Sequence, residues 1–113
     1  MYKLTLEHHF AAAHQLTNAY SKECNDFFHG HNWKVIIVVR TNVLQNSMII
    51  DFKKIKEVVN KLDHKNLNEI LDFEPTAENI SKYLYDEIMK IRDQIRISVE
   101  VFEADKASIK YQL

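Results

Sequence analysis

A single cysteine, a single glycine and a single proline are all that the 113 residues contain. One cysteine excludes an intramolecular disulfide, and a reducing, cytoplasmic setting is the simplest expectation. So little glycine and proline leaves few tight turns and favours long regular elements. No apolar run approaches the roughly 20 residues that a membrane helix needs. The first residues read as a strand, with nothing of a signal peptide about them. Net charge is -1, from 15 basic and 16 acidic side chains. Neither a nucleic acid nor an anionic membrane is invited by that balance. What is present is ordinary for a soluble globular protein: 46% hydrophobic and 27% charged residues. The length suits one domain, residues 1–113, with its own core.

Periodicity places the elements. Tyr2, Leu4, Leu6, His8 and Phe10 alternate with polar partners, the pattern of a half-buried strand, and the same parity carries His14 onto the apolar face. Residues 17–28 are polar and read as a loop. A second strand is expected over 32–43 and a turn over 42–47. Asp51 reads as an N-cap. Ile55, Val58, Val59 and Leu62 then follow at helical spacing, so a helix is expected over 51–65. Residues 67–74 read as a connector. Pro75 and Thr76 open a second helix, with Ile80, Leu84, Ile88 and Ile91 along one face. Strict alternation over 95–103 and a final strand over 107–113 complete a β-β-α-α-β-β order. That order predicts an α+β domain, an antiparallel four-stranded sheet with two helices on one face. Its exposed edges invite pairing with another copy, so a homo-oligomer is expected.

The chemistry starts at Gly30, which lies between His29 and His31 just before the second strand. Side chains two apart on a strand share a face, so both imidazoles can address one ion. Gly30 lets the backbone bend or approach a neighbour closely. His14 can complete the set, and His8 is a rival on parity alone. Three imidazoles with a fourth position left open is the donor set of a catalytic zinc site. Cys24 lies among charged and polar neighbours, a poor place for a core residue. A thiol near a divalent cation is shifted toward the thiolate and can serve as a base. Asp63 and His64 fall at the predicted end of the first helix. Histidine there suits the helix dipole, which is the stronger reading from the residues alone; the sharper one is a relay in which a carboxylate orients an imidazole that exchanges protons with Cys24. Glu103 continues the inward parity of Val99 and Val101. Either the strand frays and turns it to solvent, or its two oxygens take two parallel N–H donors such as a pterin-like ring edge offers.

Together these residues form a familiar set. In chain order it runs Ala12-Ala13-His14-Gln15-Leu16, then Cys24 with His29-Gly30-His31-Asn32-Trp33, and then Met48-Ile49-Ile50-Asp51-Phe52. Leu62-Asp63-His64-Lys65-Asn66-Leu67-Asn68, Pro75-Thr76-Ala77-Glu78-Asn79 and Val99-Glu100-Val101-Phe102-Glu103 complete it. Over nearly its whole length the chain resembles the 6-pyruvoyl-tetrahydropterin synthase / 6-carboxytetrahydropterin synthase family. The resemblance implies the tunnelling fold, whose subunits assemble into barrels as trimers or hexamers with active sites at subunit interfaces. It implies zinc on His14, His29 and His31, Cys24 as proton acceptor, and Asp63 with His64 as its relay. It implies that Glu103 anchors a pterin ring, helped by the Thr76 region. The implied substrate is 7,8-dihydroneopterin triphosphate. The implied product is 6-carboxy-5,6,7,8-tetrahydropterin, with loss of triphosphate and acetaldehyde, on the route to queuosine; the alternative is 6-pyruvoyl-tetrahydropterin. Three departures stand out. The Cys24-to-His29 spacing is intermediate between the two branches, Ser47 stands where the family usually has glycine, and Ala104 replaces a common threonine. A zinc hydrolase using the three histidines without the thiol, and a structural metal module, are the competing readings.

Overall fold

The computed structural model describes residues 1–16 and 29–113. Two long strands, β1 (Tyr2–His14) and β2 (His29–Thr41), pair antiparallel over their full length, with Phe10 opposite Trp33, Ala12 opposite His31 and His14 opposite His29. Helix α1 (Phe52–Asn60) follows, then β3 (Lys65–Asn66), a short helix α2 (Leu67–Ile70), helix α3 (Ala77–Met89), β4 (Arg96–Ala104) and β5 (Ala107–Gln112). The sheet order is β3-β1-β2-β4-β5. All pairs are antiparallel except the short β1–β3 pair.

Period-2 alternation decides which face is dry. Phe10, Ala12, Trp33, Val35, Ile37, Val39, Ile97, Val99 and Val101 are buried, and α1 and α3 bring Ile55, Val59, Ile80, Leu84 and Ile88 into the same core. Both long helices therefore cover one face of the sheet. Thr76 caps α3 through its hydroxyl, which accepts from Asn79 N–H at 3.1 Å, and Asp51 caps α1 by accepting from Lys53 N–H at 3.0 Å. Buried Arg92 ties down the segment between β2 and α1. Its Nη1 donates to the carbonyls of Val43 and Ile49, at 3.0 and 2.7 Å.

Four boundaries differ from the sequence expectation, each for a local reason. The first helix stops at Asn60 instead of reaching 65, because Asp63 and His64 bond to the edge of β1. That edge contact also creates β3, so the sheet has five strands where four were expected. The connector at 67–74 contains a helical turn capped by Asn66, whose side chain accepts from Asn68 N–H. The second strand begins at His29 and ends at Thr41, where the hydroxyl donates to the Gln94 carbonyl at 2.8 Å and closes that end of the sheet. The polar loop expected over 17–28 lies outside the described residues.

The turn before α1 carries strain. Gln45 and Met48 exchange backbone hydrogen bonds of 2.9 Å in each direction, with Asn46 and Ser47 between them at φ 52° and 64°. Positive φ at both central residues is the type I′ geometry, which favours glycine at the second. A serine there sits in a left-handed conformation that costs roughly 1–2 kcal/mol relative to the right-handed one. Ser47→Gly is expected to stabilise the protein by about 1 kcal/mol and to raise the thermal midpoint by a few degrees. An unchanged or lowered midpoint in thermal denaturation would contradict this account of the turn.

Candidate active site

Three side chains from three strands meet at one end of the core. His14 ends β1 and is fully buried; His31 lies near the start of β2 and is 27% exposed; Glu103 lies near the end of β4 and is 34% exposed. Glu103 Oε1 lies 3.2 Å from His14 Nε2 and 3.0 Å from His31 Nε2. The donor atoms of all three fall within 4.8 Å of one another.

Local structure explains each position. His14 keeps the inward parity of Phe10 and Ala12 because β1 runs without a bulge. Its Nδ1 lies 2.7 Å from the Pro75 carbonyl, which only accepts, so Nδ1 carries the proton and Nε2 is left facing the site. Pro75 is held there by the capped start of α3. Trp33 is fully buried beside both imidazoles, edge-on at 5.2 Å from His14 and 5.5 Å from His31. The indole is itself fixed, stacked on Phe10 and donating Nε1–H to the Ala12 carbonyl at 3.2 Å. Glu103 arrives through an irregularity in pairing. Phe102 pairs with Ser108 but Ala104 pairs with Ala107, leaving Glu103 as an extra residue on β4. Such bulges re-aim a side chain. Burial alone would pull the His14 pKa down, but the Glu103 carboxylate and the Pro75 carbonyl outweigh it and hold it above its ordinary value.

Asp63 and His64 form a second cluster on the edge of β1. Asp63 Oδ1 accepts from Ala11 N–H at 2.9 Å, and its Oδ2 lies 3.0 Å from His64 Nδ1. His64 N–H donates to the Ala11 carbonyl at 2.6 Å, with His64 at φ 57°. The carboxylate thus fixes the imidazole from behind, while the ring itself is 82% exposed. His31 and His64 line the same open cavity of about 480 Å³, floored by Ala11, Ala13 and Gly30. A smaller cavity of about 210 Å³ borders Glu103, between the start of α3 and β5.

The structure brings His14, His31 and Glu103 together and sets Asp63 beside His64. Cys24 lies outside the described residues, as does the His29 side chain; the His29 backbone occupies the register position opposite His14. His8 stands apart from the cluster: its Nε2 donates to Asn60 Oδ1 at 2.7 Å, at the end of α1. The Thr76 hydroxyl is engaged in capping α3. Gly30 lies in β2 without a positive φ, and a Cβ there would meet nothing within 4 Å among the described residues. Three contributors went unnoticed in the sequence: Trp33 as a wall beside both imidazoles, the Pro75 carbonyl and the Ala11 backbone. Trp33 was visible only as an inward-facing strand residue, and the two backbone partners leave no side-chain signal.

The family model described as 6-pyruvoyl tetrahydropterin synthase matches residues 3–113. The chain belongs to that family. A 6-pyruvoyl tetrahydrobiopterin synthase of Poecilia reticulata is 32% identical over 91% of this chain and 84% of its own. An Archaeoglobus fulgidus protein provisionally named 6-carboxy-5,6,7,8-tetrahydropterin synthase is 39% identical over 70% of this chain and 69% of its own. The solved structure of Caenorhabditis elegans 6-pyruvoyl tetrahydropterin synthase superposes with a TM-score of 0.75 at 26% identity, covering 100% of this chain and 97% of that one. The α+β tunnelling fold expected from the sequence is thereby borne out.

The donor set of this tetrahydropterin synthase family member fits a metal. Neutral imidazole nitrogen and carboxylate oxygen are both zinc ligands, and tetrahedral bonds of about 2.0–2.1 Å place neighbouring donors about 3.3 Å apart. The two contacts to Glu103 match that spacing. Among the described residues no helix is long and apolar enough to cross a membrane.

The Asp63 carboxyl is held below its ordinary value of 3.8, chiefly by the Ala11 N–H bond and further by His64. A depressed carboxyl pKa contributes stability that is complete above the unfolded value and is lost as pH falls through the folded one. The stability difference between wild type and Asp63→Asn should therefore be constant above the ordinary aspartate range and should narrow as pH drops below it. Denaturant titrations across acid pH check this. A difference independent of pH would show that the Asp63 charge contributes nothing to the edge contact.

Proposed function

We propose that this protein converts 7,8-dihydroneopterin triphosphate to 6-carboxy-5,6,7,8-tetrahydropterin, releasing triphosphate and acetaldehyde, as a lyase of the queuosine route. The observation that carries this is the convergence of His14, His31 and Glu103 in a chain of the 6-pyruvoyl tetrahydropterin synthase family. The relatives are named for both product branches, so the carboxy product rests on the overall sequence resemblance and on the Archaeoglobus protein.

Each residue has a role in this reading. His14 and His31, joined by His29, hold zinc with neutral imidazole nitrogens, and the Pro75 carbonyl keeps His14 in the tautomer that can do so. Bound zinc supplies Lewis acidity to oxygens on the substrate side chain. Glu103 receives the N–H groups of the pterin ring, in the cavity between the start of α3 and β5. Cys24, as thiolate, takes a proton from the substrate side chain. His64, oriented by Asp63, exchanges that proton. The exposure of the His64 ring suits a relay that serves a neighbouring subunit, so the working unit is a homo-oligomer, a trimer or hexamer, with sites at its interfaces. The compartment is the cytoplasm, and residues 1–113 act as one domain.

Zinc-loaded protein incubated with 7,8-dihydroneopterin triphosphate should yield 6-carboxy-tetrahydropterin and acetaldehyde by mass spectrometry. Cys24→Ala should lose activity by roughly 10²–10⁴-fold, the usual contribution of a positioned proton-transfer group, while keeping its zinc. A pyruvoyl product without acetaldehyde would move the chain to the other branch. Full activity in Cys24→Ala would instead fit a hydrolase that needs only the zinc-binding histidines.

A further inference from the structure

We infer that Lys3, Arg40 and Arg96 form a binding site for a short polyphosphate anion, on the sheet face that the helices leave open. The site is separate from the histidine cluster, since Lys3 and His14 lie at opposite ends of β1, and it does not depend on the reaction proposed above. Strand register sets the three cations side by side. Lys3 on β1 stands opposite Arg40 on β2, and Arg40 stands opposite Arg96 on β4. Period-2 alternation turns all three away from the core, because their sequence neighbours Leu4, Val39 and Ile97 pack into it. Arg40, the middle one, is partly buried, whereas Lys3 and Arg96 are exposed.

Like charges directly opposite one another on a sheet are destabilising. No acidic side chain of this row or the next offsets them. The adjoining row is neutral, made of Thr5, Val38, Ser98 and Gln112. Acids appear on this face only one row further on, and both are engaged there. Glu7 lies 3.1 Å from His9 Nε2, and Glu100 stands opposite Lys110 and accepts from Ser108 Oγ at 2.7 Å. Asp93, three residues before Arg96, accepts from Gln45 Nε2 at 3.4 Å. None of the three cations forms an ion pair with a described residue.

The row selects its ligand by span and charge. Neighbouring strands lie about 4.8 Å apart, so three of them spread the cations over about 10 Å. A lone phosphate cannot bridge that distance, whereas a short chain of linked phosphates can place negative charge before each cation. Arg40 and Arg96 offer forked N–H donors to phosphate oxygens, and Lys3 offers a compact point charge. Glu7 and Glu100 bound the site on the side toward the histidine cluster. A long polyanion running along the strands would meet those carboxylates, so the fit is to a small polyphosphate, free or as the tail of a nucleotide.

Amide NMR of the full, zinc-loaded chain titrated with inorganic triphosphate tests this. Resonances of Lys3, Arg40, Arg96 and the adjoining row should shift and saturate, and the response should weaken as salt is raised, because salt screens exposed charges. Arg40→Gln and Arg96→Gln should each weaken binding about two- to fivefold, the usual worth of an exposed ion pair. Adding Lys3→Gln to both should remove the saturable shift. Lys34→Gln, on the same face but held over the Phe102 ring three rows away, should bind as wild type does. ATP titrated in parallel separates the sources: an equal response assigns the site to the phosphate chain, and a tighter one assigns it to a nucleotide. Amides around His31 and His64 report any triphosphate drawn to the other end of the sheet. Shifts confined to that end, unchanged affinity in the triple variant, or equal weakening by Lys34→Gln would overturn the inference. The two single arginine variants decide the matter if the triple variant folds poorly by circular dichroism.

Discussion

Everything at the functional end of this protein depends on one buried convergence, the meeting of His14 and His31 Nε2 with Glu103 Oε1. Three strands have to end in register for it to form. β1 must run thirteen residues without a slip, β2 must pair with it so that Ala12 faces His31, and β4 must carry its extra residue. The two imidazoles are then held by groups that do no chemistry. The Pro75 carbonyl sets one tautomer, and the Trp33 indole packs edge-on against both rings, which also meet each other edge-on at 5.1 Å. A polar cluster this deep is costly unless its members are matched to each other or to an ion.

The same scaffold explains where the second cluster sits. Asp63 and His64 follow α1 and dock on the backbone of Ala11, three residues before His14. One strand therefore positions both groups, its inward face giving a candidate ligand and its edge holding the Asp63–His64 pair. Ala11, Ala13 and Gly30 keep the space between them open, and His31 and His64 line that one cavity. A Cβ on Gly30 would meet nothing within 4 Å among the described residues.

Period-2 alternation made much of this legible in the amino-acid order. It gave the inward placement of His14 and Trp33, the dry face of the sheet and the inward parity of Glu103. Helical spacing gave Ile55, Val59, Ile80, Leu84 and Ile88 as core, and the caps Asp51 and Thr76 came from residue type alone. The early end of α1 was hidden because it is set by hydrogen bonds to a strand some fifty residues away. Local propensity contains no trace of such a partner. The bulge at Glu103 was hidden for a similar reason: an extra residue is defined only by the register of its neighbour. Parity placed Glu103 inward, whereas the pairing across β4 and β5 placed it against both histidines.

The central claim is that His14 and His31 direct their Nε2 atoms at one bound cation. Anomalous X-ray diffraction at the zinc edge, on crystals of the zinc-loaded protein, tests it most directly. The account predicts one strong peak per chain within bonding distance of both Nε2 atoms. A peak remote from these rings, or none in protein carrying stoichiometric zinc, would contradict it.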